Sequence, residues 1–104
     1  MAEMSNAELL ARAQALAEAG DAVNGAVTYA TLAERLGEQG DFVHCAKIYA
    51  EAEQLARRAR RDDLRAAYLI AQGSAYTRLP DGKESAKNAL GRASSVAFDA
   101  GRHD

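Results

Sequence analysis

Apolar residues recur along this chain at the three- and four-residue spacing of amphipathic helices, broken by short polar turns. In the first segment the spacing is carried by Leu9, Ala13, Leu16 and Ala17, and Gly20 ends it. The whole pattern predicts five helices, at about 7–19, 22–37, 42–60, 62–79 and 83–100. Because turns of only a few residues join them, we expect neighbouring helices to pack antiparallel.

Composition strengthens the prediction of an all-α fold. Ala and Leu dominate, Trp is absent, and Pro80 is the single proline of 104 residues. Helix formers are abundant, whereas the β-branched residues that favour strands are sparse. The length is that of one domain with a single core.

Charge is small overall but unevenly spread. The formal net charge of -2 argues against a general nucleic-acid binder. Residues 1–53 hold nine acidic and three basic residues, a balance of -6, while residues 54–104 hold six acidic and ten basic residues, a balance of +4. Two solvated helix faces explain this asymmetry, and we favour that interpretation over head-to-tail docking of charged halves, which also fits it.

The helical pattern itself repeats after about 40 residues. The first copy contains Tyr29, Leu32, Ala33, Leu36, Gly40, Asp41, Phe42, Cys45, Tyr49 and Ala52. The second contains Leu69, Gly73, Tyr76, Asp81, Ala86, Leu90 and Ala93. Such a period is typical of helical repeat proteins. Small residues, namely Ala33, Gly73, Cys45 and Ala86, would allow close helix crossings.

These residues resemble the long, 40-residue form of the tetratricopeptide repeat. The resemblance implies a right-handed α-solenoid of antiparallel helix pairs forming one domain over 1–104. Its parts would be a leading half-repeat (1–20), a first repeat (21–60), a second repeat (61–101) and a tail (102–104). The sequence departs from the pattern at Gln72, Pro80 and Gly82, and no obviously polar helix closes the C-terminal end. Either the fifth helix caps the stack or another molecule covers it.

In this family the first helix of each unit lines a concave groove that binds other proteins. Mapped onto this chain, the partner-binding residues are Val27, Ala30, Glu34, Glu38, Ala67, Ile70, Ser74, Thr77 and Arg78. The Lys and Asn residues with which some members clamp a terminal carboxylate are absent at these positions. The prediction is a non-catalytic adaptor that binds a peptide or helix of a partner protein and needs no cofactor.

The alternative hypothesis is a structural module that self-associates through its exposed repeat ends. Isolated helical repeats need about three units for stability, and this chain holds two and a half. The unequal charge of the two halves predicts a homo-oligomer that weakens with salt. Whether the chain works alone or belongs to a longer array is left open by the sequence.

Candidate chemistry is sparse. His44 and Cys45 are adjacent, so on a helix they point about 100° apart and are poorly placed to share a reacting atom; we interpret them as a surface imidazole and a core thiol. No phosphate loop or convincing metal-ligand set is found, so we predict no enzyme and no metal. The basic run at 57–65 also contains acidic residues. Ion pairs between these acids and the arginines explain the run better than binding of phosphate or of an acidic peptide.

The sequence also bears on compartment. With Cys45 as the only cysteine, no internal disulfide can form, which suits a reducing environment. The N-terminus lacks the basic start of a signal peptide, and no apolar stretch approaches a membrane span. The expected location is cytoplasmic, with no membrane partner.

Overall fold

The computed structural model describes residues 4–102, and this part of the chain is all-α, with five helices and no strand. The helices are α1 (Asn6–Glu18), α2 (Ala22–Glu38), α3 (Phe42–Arg58), α4 (Asp62–Tyr76) and α5 (Lys83–Arg102). Each helix packs against the next in sequence, so the stack grows from α1 at one end to α5 at the other. The predicted all-α, repeat-like fold is confirmed.

Polar side chains cap the first three helices. Ser5 and Glu8 form a reciprocal capping box at α1, with both backbone-to-side-chain bonds at 3.1 Å. Asp21 and Asp41 cap α2 and α3 by accepting from the backbone amides three residues later. These bonds satisfy amides that have no partner inside the helix.

Three similar turns end α1, α2 and α3. Each contains one residue with a positive φ: Gly20 (85°), Gly40 (81°) and Arg60 (56°), spaced twenty residues apart. Glycine adopts this left-handed conformation without steric cost, whereas a side chain such as that of Arg60 is disfavoured there. α3 therefore ends at Arg58, two residues before the predicted boundary, and Arg60 forms the turn.

The last two helices differ from the predicted boundaries. α4 ends at Tyr76 rather than Leu79, because the amides of Arg78 and Leu79 donate to carbonyls only three residues back in a tighter turn. α5 continues to Arg102, so the predicted stop at Gly101 is wrong: a glycine costs a helix only about 1 kcal/mol and does not force it to end. The rest of the predicted tail, residues 103–104, lies outside the described residues.

Small residues make the close contacts between helices. Ala33, Cys45 and Ala86 are all buried, as predicted from the repeat. Gly73 is buried beneath Leu90, where a β-carbon would lie 2.9 Å from Cγ of that leucine. The core is consequently thin and rich in alanine, with Leu69 as its most completely enclosed large side chain.

A buried carboxylate ties the C-terminal half together. Glu53 of α3 is 3% exposed and accepts from Arg65 of α4 at 3.2 Å and from Arg92 of α5 at 2.9 Å. Forty residues before Glu53 and Arg65, the equivalent positions carry Ala13 and Gly25, whose backbones approach closely instead. Small residues thus close the interface between α1 and α2, whereas an ion-pair cluster closes the equivalent interface between α3 and α4.

The basic run at 57–65 is self-neutralising at several of its members. Arg57 and Arg65 both lie within ion-pair distance of Glu53, and Arg65 also reaches Asp62. Arg61 donates to both carboxylate oxygens of Asp63 at 2.9 Å. The acids within and beside this run therefore compensate arginine charge, as the sequence predicts.

The Arg61–Asp63 pair predicts a measurable titration. The hydrogen bonds from Arg61 lower the pKa of Asp63 to about 2, from an ordinary value of 3.8. Because the folded-state pKa is the lower one, the pair stabilises the fold above pH 3.8, and this contribution is lost as the pH falls towards 2. NMR titration should return the Asp63 pKa towards its ordinary value in Arg61→Ala but leave it unchanged in the control Arg58→Ala. An Asp63 pKa indifferent to Arg61→Ala would contradict the assignment.

Candidate binding groove

A groove of about 370 Å³ lies between α2 and α4, with α3 as its floor. The two walls are first helices of the sequence repeat, and the floor is the second helix of the first repeat. Its lining consists of Glu34 and Gly37 from α2, Phe42, Cys45 and Tyr49 from α3, and Ala71, Ser74, Ala75 and Arg78 from the α4 segment and the turn after it. We call this set the α2–α4 groove.

Aromatic and small residues shape the floor of the α2–α4 groove. The guanidinium carbon of Arg78 lies 5.5 Å from the ring centroid of Phe42, within the range of a cation–π contact. The ring of Tyr49 lies 6.3 Å from that of Tyr68, centroid to centroid, which holds it in a tilted aromatic pair. Gly37 and Cys45 are small residues that line the groove beside Phe42 and Tyr49.

Opposite charges line the α2–α4 groove. Glu34 is exposed on the α2 wall, and Arg78 is exposed beyond the end of α4. Burial raises the pKa of Tyr49, and the negative charge of Glu34 raises it further. A bound segment would therefore meet an acidic group, an apolar floor and a basic group in one groove.

The structure brings together three of the nine predicted groove residues. Glu34, Ser74 and Arg78 line the α2–α4 groove. Five others lie on the same two helices or the following turn and are exposed without lining the cavity: Val27, Glu38, Ala67, Ile70 and Thr77. Val27 and Ile70 are 46% and 52% exposed, and helical spacing places them on the continuation of the two walls. Ala30 is half-buried, packs against the core and does not line this cavity.

Sequence reasoning missed the floor of the groove. Phe42, Cys45 and Tyr49 belong to α3, whereas the family resemblance directed attention to α2 and α4. The i, i+3, i+7 spacing of these three residues was the available signal, since it places them along one face of α3. That face was interpreted as core alone.

The adjacent His44 and Cys45 lie in different environments. Nδ1 of His44 lies 2.8 Å from a carboxylate oxygen of Asp41, and the imidazole is exposed. Cys45 is 5% exposed and faces the α2–α4 groove, and burial raises the pKa of its thiol. The predicted surface imidazole and core thiol are confirmed.

Within residues 4–102, no three His, Cys, Asp or Glu side chains are grouped as metal ligands. None of the helices in the described part of the chain has both the length and the apolar character needed to span a membrane. No protein-family model, curated protein or solved structure matches this chain. The α2–α4 groove is therefore interpreted from its own geometry and chemistry.

Proposed function

We propose that this protein is a non-catalytic, cytoplasmic interaction module that binds a segment of a partner protein in the α2–α4 groove. The single observation that carries the proposal is the open groove itself, whose floor combines Phe42 and Tyr49 between the opposite charges of Glu34 and Arg78. Aromatic residues and arginine are the side chains that contribute most to protein interfaces. The resemblance to tetratricopeptide repeats supports an adaptor role of the same kind.

The chemistry of the groove specifies what should bind. An apolar side chain of the partner would contact Phe42 and Tyr49, an acidic residue would pair with Arg78, and a basic residue would pair with Glu34. Val27 and Ile70 extend both walls with exposed apolar surface. A short helix or extended segment with mixed charge around an apolar residue meets these requirements.

Selection from a random peptide library tests this proposal. Peptides selected on the wild-type protein should share an apolar residue flanked by opposite charges. Their affinity should fall at least about tenfold in Arg78→Glu, because an attractive ion pair becomes a repulsive one in a partly desolvated groove. Arg58→Glu is the matched control: it makes the same charge change at an exposed position outside the groove and should leave the affinity nearly unchanged.

Binding measured by isothermal titration calorimetry decides the outcome. Selected peptides that bind wild type and Arg78→Glu equally well would show that the α2–α4 groove is not the site. Ile70→Ala provides a second test, of apolar contact rather than charge. It removes apolar surface from the groove wall and leaves the net charge unchanged. Circular dichroism should show the same helical content in all variants, because the substituted side chains are exposed.

A further inference from the structure

A second cavity, of about 460 Å³, opens between the C-terminal end of α4 and the first half of α5. We call it the α4–α5 pocket. Its lining consists of Thr77, Leu79, Pro80, Lys83, Ala86, Lys87 and Leu90. Most of these residues are apolar or small, and the two lysines are the charged ones.

The sequence repeat relates the α4–α5 pocket to the α2–α4 groove. α3 begins 20 residues after α2, and α5 begins 21 residues after α4, so equivalent residues differ by 40 in the first helix of a repeat and by 41 in the second. Four residues of the pocket are the equivalents of four residues of the groove: Thr77 of Gly37, Lys83 of Phe42, Ala86 of Cys45 and Leu90 of Tyr49. The two cavities are therefore successive parts of one surface, with α4 between them.

The chemistry of the α4–α5 pocket differs from that of the groove. Lys83 stands where the groove has Phe42, and Lys87 is the equivalent of the buried Ala46. Because the first repeat folds with an aromatic residue and an alanine at these positions, the architecture does not require the two lysines. Leu90 of the same pocket is 42% exposed, so apolar surface remains available next to the lysines.

The charges of the two lysines are left uncompensated in the described part of the chain. Both side chains are exposed, and within residues 4–102 neither takes part in an ion pair or a side-chain hydrogen bond. Asp81 and Glu84 are the nearest acids in sequence to Lys83, and neither of them lines the pocket. The pocket therefore offers two cations beside apolar surface to a bound molecule.

Charge changes sign along the combined surface of the two cavities. Glu34 lies on the α2 wall at one side, Arg78 lies beyond the end of α4, and Lys83 and Lys87 lie on α5 at the other side. A segment with one acidic end binds in a single direction on such a surface, because only that direction brings opposite charges together. Given the proposed binding in the α2–α4 groove, on which this step depends, we propose that the partner segment continues across α4. It places a second apolar side chain, flanked by acidic residues, in the α4–α5 pocket.

The width of α4 sets the spacing of the two apolar residues. Ser74 lines the groove and Thr77, three residues later, lines the pocket, so a bound segment has only this helix to cross. A helix with its side chains is about 10–12 Å across. Residues four positions apart on an extended segment point to the same side and lie about 13 Å apart. Segments that use both cavities should therefore carry two apolar residues four positions apart, with acidic residues next to the one that contacts α5.

Calorimetric affinities of peptides selected on the wild-type protein, from a library long enough to span both cavities, test the second contact separately. The double variant Lys83→Glu/Lys87→Glu should bind these peptides at least about tenfold more weakly, because two attractive charges become repulsive. Lys83→Glu places an acid in the first turn of α5, where the helix dipole favours it, and circular dichroism should show unchanged helical content. The matched control is Lys47→Glu/Arg58→Glu, which makes the same charge change at two exposed positions of α3 outside both cavities. It should leave the affinity nearly unchanged.

A charge swap tests the contact itself. Lysine in place of the acidic residues beside the second apolar residue of a selected peptide should weaken binding to the wild-type protein. The same swapped peptide should bind Lys83→Glu/Lys87→Glu more tightly than the original peptide does, since opposite charges again face each other. A change in folding would weaken both peptides alike and could not produce this reversal.

Three results would overturn the proposal, and they separate it from the proposed function. Peptides that lose affinity in Arg78→Glu but bind Lys83→Glu/Lys87→Glu as tightly as wild type would show that the α2–α4 groove binds alone. A swapped peptide that binds the double variant no better than the original peptide would contradict the contact with the lysines. Both of these results leave the proposed function standing. Peptides indifferent to Arg78→Glu would remove the proposed function and, with it, the second contact.

Discussion

Replacing Glu53 by alanine should lower the free energy of unfolding by about 2–4 kcal/mol. The carboxylate is 3% exposed and bonded to Arg65 and Arg92, so its removal takes this carboxylate from Arg92 and leaves Arg65 with its longer contact to Asp62. Losing one partner of a buried ion pair costs about 3–5 kcal/mol, and we expect somewhat less here because the side chain of Arg92 is 51% exposed and can be hydrated.

Glu51→Ala is the matched control for this prediction. Glu51 lies on the same helix two residues earlier and is exposed, so its removal should change the free energy of unfolding by less than about 0.5 kcal/mol. Urea denaturation followed by circular dichroism measures both variants. Equal stabilities for Glu53→Ala and Glu51→Ala would show that the cluster does not hold α3, α4 and α5 together.

Replacing Gly82 by alanine should destabilise the protein by about 3 kcal/mol, at the upper end of the usual cost of overpacking. A β-carbon at this position would lie 1.9 Å from the carbonyl oxygen of Tyr76 and 2.8 Å from its carbonyl carbon. Both atoms are backbone at the end of α4, so they cannot move aside as a flexible side chain can. The turn between α4 and α5 would have to open, and the carbonyl of Gly82 would lose its bond from the amide of Ala86.

Gly91→Ala, within α5, should have the opposite effect on stability. A β-carbon at Gly91 meets no atom within 4 Å, and the residue is exposed in the interior of α5. Alanine there should stabilise the protein by about 0.5–1 kcal/mol, since glycine loses more conformational freedom on folding. Thermal unfolding of the two variants separates a steric effect at Gly82 from a general effect of glycine. A stabilising Gly82→Ala would contradict the geometry of this turn.

Local signals in the chain predicted the helices well and their ends less well. Caps at Ser5, Asp21 and Asp41 depend on side chains that bond to amides three residues away, so they can be recognised without knowledge of the tertiary structure. The end of α3 was placed two residues late because Arg60 adopts the left-handed conformation that Gly20 and Gly40 adopt in the other turns. An arginine gives no local sign of that conformation.

The groove could be predicted only in part. Helical spacing and the resemblance predicted residues on the two helices that form its walls, since positions on one helical face follow from the sequence alone. The face of α3 that forms its floor also packs against α2 and α4, so the side chains of Phe42 and Tyr49 could have been either core or lining. How far neighbouring helices separate decides between these two states, and that separation depends on tertiary packing.

The sequence by itself determined the helical class, the order of the helices and the period of about 40 residues, because caps, turns and apolar spacing act over a few residues. Only the tertiary structure decided which distant residues meet. Glu53 and Arg92 are 39 residues apart and joined across α4, and Leu10 of α1 and Ile48 of α3 come together to line one apolar cavity. Such contacts depend on how the helices cross. The close approach of small residues sets that crossing.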